Sequence, residues 1–354
     1  MRAEAAARLL NWYLGTAQSA ADMVSPHRYQ VAPAPVTDGL PVVRFAGVDE
    51  ALAWYDDERT NLAVAARQAA AAGLHDIAWR LPPTLFPVFN RRSSWAECVT
   101  MHRVALESVR KVGDRLGEAW VLNQLGFALA KLREPEAFGY LEQALAIRQE
   151  FGDTLGEAQT ALALGEWYLN VQGPGEDALR YMRRGADLLE PIGAISLRSV
   201  ALNNLGEVHF GLGDLEAAAE CYIQARDICR KTGGYVEGHV LHNLGLVFLC
   251  QRRLDEATAS FAEALRKHRA AGLLVGEAWT LKDLARAQAE TGDMAGACAS
   301  LAAASKIFEE IGDKAGVAET TSLLVSLSTS WPCLQVRGKG RWGTFAAARA
   351  LFAG

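Results

Sequence analysis

Glycines recur along this chain at Gly73, Gly113, Gly152, Gly193, Gly233, Gly272 and Gly312, at intervals of 40, 39, 41, 40, 39 and 40 residues. A sustained period of that length constrains the fold more than any other feature, because each repeat is then one supersecondary unit that buries its apolar face only against its neighbours. Eight residues before each glycine lies a small residue: Ala65, Ala105, Ala144, Gly185, Ala225, Ala264 and Ala304. Seven residues earlier, from the second unit onward, come Cys98, Ala137, Ala178, Ala218, Ala257 and Ala297. A fourth column holds Gly126, Gly165, Gly206, Gly245 and Ala285, each preceded by Leu.

Between the columns the apolar residues follow helical spacing, as in Leu202, Leu205, Val208 and Phe210 and then Leu215, Ala218, Ala219 and Tyr222. Each unit therefore reads as a helical hairpin. Gly211-Leu212-Gly213-Asp214 is the turn between its helices, and Gly233 stops the second one. Gly206 falls inside the first helix, where glycine costs about 1 kcal/mol relative to alanine. Close approach of the paired helix, whose Ala218 and Ala225 are also small, is the expected compensation. A phosphate-cradling loop is the rejected alternative, since no strand precedes these glycines and no G-x-x-x-x-G-K-[ST] occurs in the chain.

Composition agrees: alanine is abundant and isoleucine scarce, which favours helix over sheet. The predicted fold is all-α, a superhelical array of six to seven hairpins. With 36 basic and 41 acidic residues, the net charge of −5 gives no overall electrostatic footprint for nucleic acid or an anionic membrane. The six cysteines contain no C-x-x-C pair, no signal-peptide pattern opens the chain and no run of 18 apolar residues occurs. A cytoplasmic setting is the expectation.

The columns Leu205-Gly206, Gly213-Asp214, Ala218 and Ala225, echoed in neighbouring units, resemble the tetratricopeptide repeat in its longer form of about 40 residues, as in kinesin-light-chain-like arrays. The resemblance covers roughly residues 49–328. It implies a non-enzymatic array that binds a protein or peptide, and says little more about function. The flanks suggest an N-terminal helical segment over 1–30, a Pro-rich linker over 31–48 and a tail over 329–354. Pro82, Pro83 and Pro87 interrupt a helix that the register expects, predicting a kink or short break.

A second resemblance rests on RLLNWYLGTAQSAADMVSPHR followed by ALAWYDDERTNLAVAARQA. These stretches are similar to the passage that follows the nucleotide-binding and winged-helix modules of actinobacterial AfsR-like regulators, of the NB-ARC, signal-transducing ATPase group. The N-terminal segment then resembles the end of the winged-helix region. In that family the array is the sensory or partner-binding part of a transcriptional regulator. The resemblance is to the C-terminal section alone, so the chain is expected to be a fragment, a truncated product or a protein acting in trans. Nucleotide-binding and DNA-binding modules, on the full-length protein or another chain, are the implied partners. A constitutive scaffold without a switch is the alternative.

In tetratricopeptide arrays the first helix of each unit lines the concave face. The positions six and three before the column glycine, and one after it, are then the candidate groove residues. They are Trp120, Asn123 and Phe127; Gln159, Leu162 and Glu166; Val200, Asn203 and Glu207; His239, His242 and Leu246; and Trp279, Lys282 and Arg286. Asn204 and Asn243 lie beside them. The set passes from Glu166 and Glu207 to Lys282 and Arg286, predicting a groove that runs from acidic to basic and suits an extended peptide.

Neither a metal nor catalysis is expected. His239 and His242 stand three apart on a helix, but Cys250 lies eleven residues from His239, about 16 Å at 1.5 Å per residue. Carboxylates such as Glu166 and Glu207 belong to no Ser, His and Asp set that spacing brings together. No cofactor, membrane or direct nucleic-acid contact is implied. Without a P-loop, the chain should give no heat of binding in calorimetry with ATP and magnesium; stoichiometric binding would overturn the structural reading of its glycines.

Overall fold

A computed structural model of the chain describes residues 2–25, 41–233 and 236–329. Among these residues there are fifteen α-helices and no strand. Two compact units divide within one helix, between Trp167 and Tyr168. The expected linker falls largely on residues 26–40 and the expected tail on residues 330–354, both outside the described residues.

The first unit opens with α1 (Arg2–Val24) and α2 (Val48–Ala71), followed by the hairpin of α3 (His75–Arg92) and α4 (Trp95–Val112) and that of α5 (Arg115–Lys131) and α6 (Ala137–Phe151). It ends in the first turns of α7 (Thr154–Val171). Trp79, Ala105, Val109, Leu122, Leu125 and Ala144 meet in its core. The second unit contains α8 (Glu176–Leu189), then α9 (Ile195–Leu212) with α10 (Leu215–Thr232), α11 (Glu237–Cys250) with α12 (Leu254–Ala270), and α13 (Leu274–Thr291) with α14 (Met294–Glu310). α15 (Lys314–Thr329) lays Leu323, Leu324 and Leu327 over Ala285, Ala297 and Leu301.

The glycine columns have separate physical reasons. Gly73 through Gly312 all take left-handed φ values, from +64° to +78°, at the ends of second helices, where a Cβ is costly. The hairpin turns use the same conformation at Ser93, Arg133, Gly173, Gly213, Arg252 and Gly292, so three of these turns carry it without glycine. Asp114, Asp214 and Asp293 then cap the next helix, each accepting from the backbone N–H three residues on.

Inside the first helices the reason is contact. A Cβ on Gly206 would lie 2.6 Å from the Tyr222 ring, one on Gly245 2.7 Å from Phe261, and one on Gly126 2.7 Å from Leu141. The paired helix does approach closely there, with Ala218 and Ala225 fully buried, but a large side chain between the two alanines fills the notch.

A second set of notches joins one hairpin to the next at four places. Gly117, Gly156, Gly276 and Gly316 stand four residues past a turn glycine. Positions for their missing Cβ atoms lie against Trp79, Arg148, His268 and Phe308, side chains of preceding helices. Ion pairs bridge the same seam: Arg110 to Glu118 at 2.7 Å, Arg269 to Glu277 at 2.7 Å and Arg230 to Glu237 at 3.7 Å. Each sets a cation near a helix C-terminus and a carboxylate at the next N-terminus, as both dipoles prefer.

Of the kink or short break expected at Pro82, Pro83 and Pro87, the break does not occur, since α3 is continuous through all three. Each interior proline costs about 3 kcal/mol through a lost hydrogen bond and a ring clash. Packing overrides this: Trp79, Leu81, Leu85, Val88 and Phe89 are fully buried, each worth about 1.5–3 kcal/mol.

Gly206→Ala should destabilise the protein by about 1–3 kcal/mol through overpacking, although alanine gains about 1 kcal/mol in helix propensity. Gly139, in α6 with open space around its Cβ position, is the control, and Gly139→Ala should stabilise by about 0.5–1 kcal/mol. Urea denaturation measures both; a stabilised Gly206→Ala would remove the notch argument.

Candidate functional site

The candidate residues on the first helices separate into two kinds. Of those lying six positions before the column residue, three pack within their own hairpins, while Gln159 and Val200 are partly buried. The Arg148 guanidinium lies 5.2 Å from the centre of the Trp120 ring, His239 meets His268 at 4.4 Å between ring centres, and Trp279 meets Phe308 edge-on at 5.1 Å. The buried partners all occupy one column, four residues after the small residue of the second helix. Trp279 is itself 9 % exposed. Packing, rather than an open face, is where these three candidates lie.

The other positions connect successive first helices. In the first unit the Lys131 ammonium lies 4.6 Å from the Phe127 ring centre and donates to Glu166 at 2.8 Å. Phe127 also packs against Phe86 and Trp95. Asn123, on the same helix, is partly buried, and its side-chain oxygen has no hydrogen-bond partner.

In the second unit the Asn243 amide donates to Asn203 Oδ1 at 3.0 Å and approaches Glu207 Oε1 at 3.4 Å, while Asn203 donates to the same Glu207 oxygen at 3.0 Å. One hairpin onward, His242 Nδ1 meets Thr280 Oγ1 at 3.1 Å and its Nε2 lies 3.5 Å from Asp283. Lys282 covers the Trp279 ring at 4.0 Å and pairs with Glu319 of α15 at 2.9 Å. Arg286 reaches Asp283 at 3.3 Å and remains 37 % exposed. Asn204 is partly exposed beside this row, and Leu246 is buried.

The charges are thus largely matched within the face. Lys282 and Arg286 pair with Glu319 and Asp283 rather than forming the basic end of a gradient. Burial alone would raise the Asp283 carboxyl, but Lys282, Arg286 and His242 together outweigh it and hold the group below its ordinary range. His242 is held below the usual histidine value, with burial the larger cause and Asp283 opposing it.

Lys131, Thr280, Asp283 and Glu319 belong to the face and were missed from sequence. Their signal is available only in pairs: each partner lies 35 to 41 residues from its mate, close to one repeat period. The notch glycines Gly117, Gly156, Gly276 and Gly316 were also missed, although a glycine four residues past the turn recurs in GDRLGEAW, GDTLGEAQ, GLLVGEAW and GDKAGVAE.

Residues 197–270 match the tetratricopeptide repeat family model. No curated protein matches the chain in sequence. Solved structures share the fold. A Rap protein complexed with competence and sporulation factor is 12 % identical over 79 % of this chain and 80 % of that one, with a TM-score of 0.55. A signal transduction ATPase with numerous domains and a tetratricopeptide repeat sensor, from Pyrococcus horikoshii, is 13 % identical with a TM-score of 0.52; the match covers 78 % of this chain and 46 % of that one. The apo quorum sensor NprR from B. thuringiensis is 12 % identical over 81 % of this chain and 89 % of that one, with a TM-score of 0.50. The chain is an all-α array of tetratricopeptide-like hairpins.

Among the described residues, no group of three or more His, Cys, Asp and Glu is placed to hold a metal ion, and no helix is long and apolar enough to cross a membrane. Burial pushes the thiols of Cys98, Cys229 and Cys250 up, and that of Cys221 up to about 11, away from thiolate reactivity.

The amide pair is a stability prediction. Asn203 and Asn243 are 8 % and 6 % exposed, so Asn203→Ala and Asn243→Ala should each cost about 1–3 kcal/mol by stranding a buried partner. A double-mutant cycle should return a coupling of about 0.5–1.5 kcal/mol. Additive losses would show that the two amides do not interact in solution.

Proposed function

We propose that the first-helix face binds an extended protein or peptide segment without catalysing a reaction. The observation that carries this reading is the polar row in the second unit, Asn203, Asn204, Glu207, His242, Asn243, Lys282 and Arg286, on a fold whose hairpins are already seated by the glycine notches and their buried occupants. Polar groups in a half-buried face cost stability unless they are paired. Pairing across hairpins holds this row rigid, and a rigid row of amides and charges can meet a peptide backbone at low ordering cost. Asn204, Glu207, His242 and Arg286 are the partly exposed members of the row.

Fold likeness to a Rap protein complexed with competence and sporulation factor and to the quorum sensor NprR supports a peptide as occupant. The likeness to a repeat sensor on a signal transduction ATPase supports a regulatory setting. Together with the AfsR-like segments in α1 and α2, it supports reading the array as the sensory or partner-binding part of a cytoplasmic transcriptional regulator. The nucleotide-binding and DNA-binding modules then lie on the full-length protein or another chain. Direct nucleic-acid or membrane contact has no place in this reading.

Selection of a phage-displayed random peptide library on the purified chain, followed by titration of an enriched peptide, tests the face. Arg286→Ala and Asn204→Ala should each weaken that peptide at least about tenfold, or 1.4 kcal/mol; Asn204→Ala should leave the melting temperature unchanged, whereas Arg286→Ala also strips a partner from buried Asp283 and should lower it. Absence of enrichment over a scrambled library, or affinity unchanged in both variants, overturns the proposal.

A further inference from the structure

The column of buried side chains that seats each hairpin on the next contains Val109, Arg148, Leu189, Cys229, His268 and Phe308. Two of the six are ionisable bases, and their surroundings differ in one decisive respect. Arg148 is fully buried against Gly156, donates to the Gly156 carbonyl and to Thr160 at 2.8 Å, and has the Asp153 carboxylate 3.8 Å away. Asp153 is the residue directly after the turn glycine. In the His268 cradle that residue is Leu273.

His268 is 1 % exposed and wedged between two first helices, where a Cβ on Gly276 would lie 2.5 Å from its Nδ1 and one on Gly238 2.9 Å from its ring. Neither ring nitrogen has a partner at hydrogen-bonding geometry. His239 faces it at 4.4 Å. The charged groups on the surrounding helices are engaged elsewhere: Glu237 of α11 with Lys267 and Arg230, Glu277 of α13 with Arg269, Asp283 with His242 and Arg286, and Lys282 with Glu319. A proton on His268 therefore places a cation in a close-packed site with no counter-ion, beside a second histidine.

We propose that the contact among α11, α12 and α13 is an acid-labile latch, closed while His268 and His239 are neutral and parting when they take up protons. The first helices it would separate carry His242, Asn243, Lys282 and Arg286, so opening dismantles that part of the polar row. The proposal stands whether or not a peptide binds there.

Burial, with the charge of His242 adding to it, pushes His268 down to about 4, the nearby Gly238 backbone offsetting only part; burial and the other two histidines hold His239 well below the usual value. The unfolded or opened state titrates near the ordinary value of about 6.5. Because the folded pKa is depressed, the stabilisation is complete above about pH 6.5 and is lost progressively as pH falls toward 4. Within that window each histidine raises the opening constant by up to about tenfold per pH unit.

Hydrogen exchange read by mass spectrometry on the whole chain at pH 7, 6 and 5, corrected for intrinsic exchange, reports opening of each helix. Between pH 7 and 5 the opening constant of α11–α13 should rise at least about tenfold more than that of α6, which carries no histidine. His268→Phe, which copies Phe308 at the corresponding position, should remove most of this excess, with His268→Leu, copying Leu189, as the second variant. Titration of labelled histidine by NMR in the unaltered protein needs no substitution and should find a residue that stays neutral below pH 5. Equal pH responses in the two regions, an unchanged excess in the folded variants, or the absence of such a histidine would each overturn the latch.

Discussion

A large side chain lying where a Cβ is missing is the contact on which this array depends. Tyr222 over Gly206 and Phe261 over Gly245 close two hairpins, while Arg148 at Gly156 and His268 at Gly276 join one hairpin to the next. Glycine inside a helix costs about 1 kcal/mol, but the notch admits a ring or guanidinium that replaces many times that area of water contact. On α5 the notch recurs on both faces, Gly117 against Trp79 and Gly126 against Leu141, so that helix is fixed on two sides. The polar row inherits its spacing from this packing.

Much of that logic was legible in the sequence, and the reason is stereochemical. Left-handed φ and close helix approach both demand one residue type, so Gly113, Gly152, Gly213 and Gly206 could be read as columns. The occupant of a notch obeys no such rule: Arg148, His268 and Phe308 share a position and no chemistry. Length and flatness are all that the site selects, and a search for repeated residue types passes over it. The prolines of α3 mislead for the opposite reason, since a strong local preference yields to five fully buried side chains.

The candidate face was legible by position and not by partner. Helical spacing placed Asn203, His242 and Lys282 on first helices, but their contacts run to Asn243, Thr280 and Glu319, roughly one repeat away. Only the stacking of hairpins brings such residues together. It also explains why Trp120, His239 and Trp279 lie against second helices: six positions before the column residue the helix has turned toward its own partner, and in these three units a ring backs the notch occupant.

Pairing within the row changes what kind of ligand it can recognise. An unpaired stripe of one sign attracts opposite charge over a Debye length, about 8 Å at physiological salt, largely without regard to sequence. Here Lys282 already faces Glu319, and Arg286 faces Asp283, so the long-range fields of these pairs cancel. A ligand must replace a contact to gain one, and a single misplaced group leaves a half-buried charge without its mate. The penalty for a wrong partner is then several times the reward for a right one. Such a face discriminates by geometry at short range, which favours a peptide of defined sequence over a merely acidic or basic one.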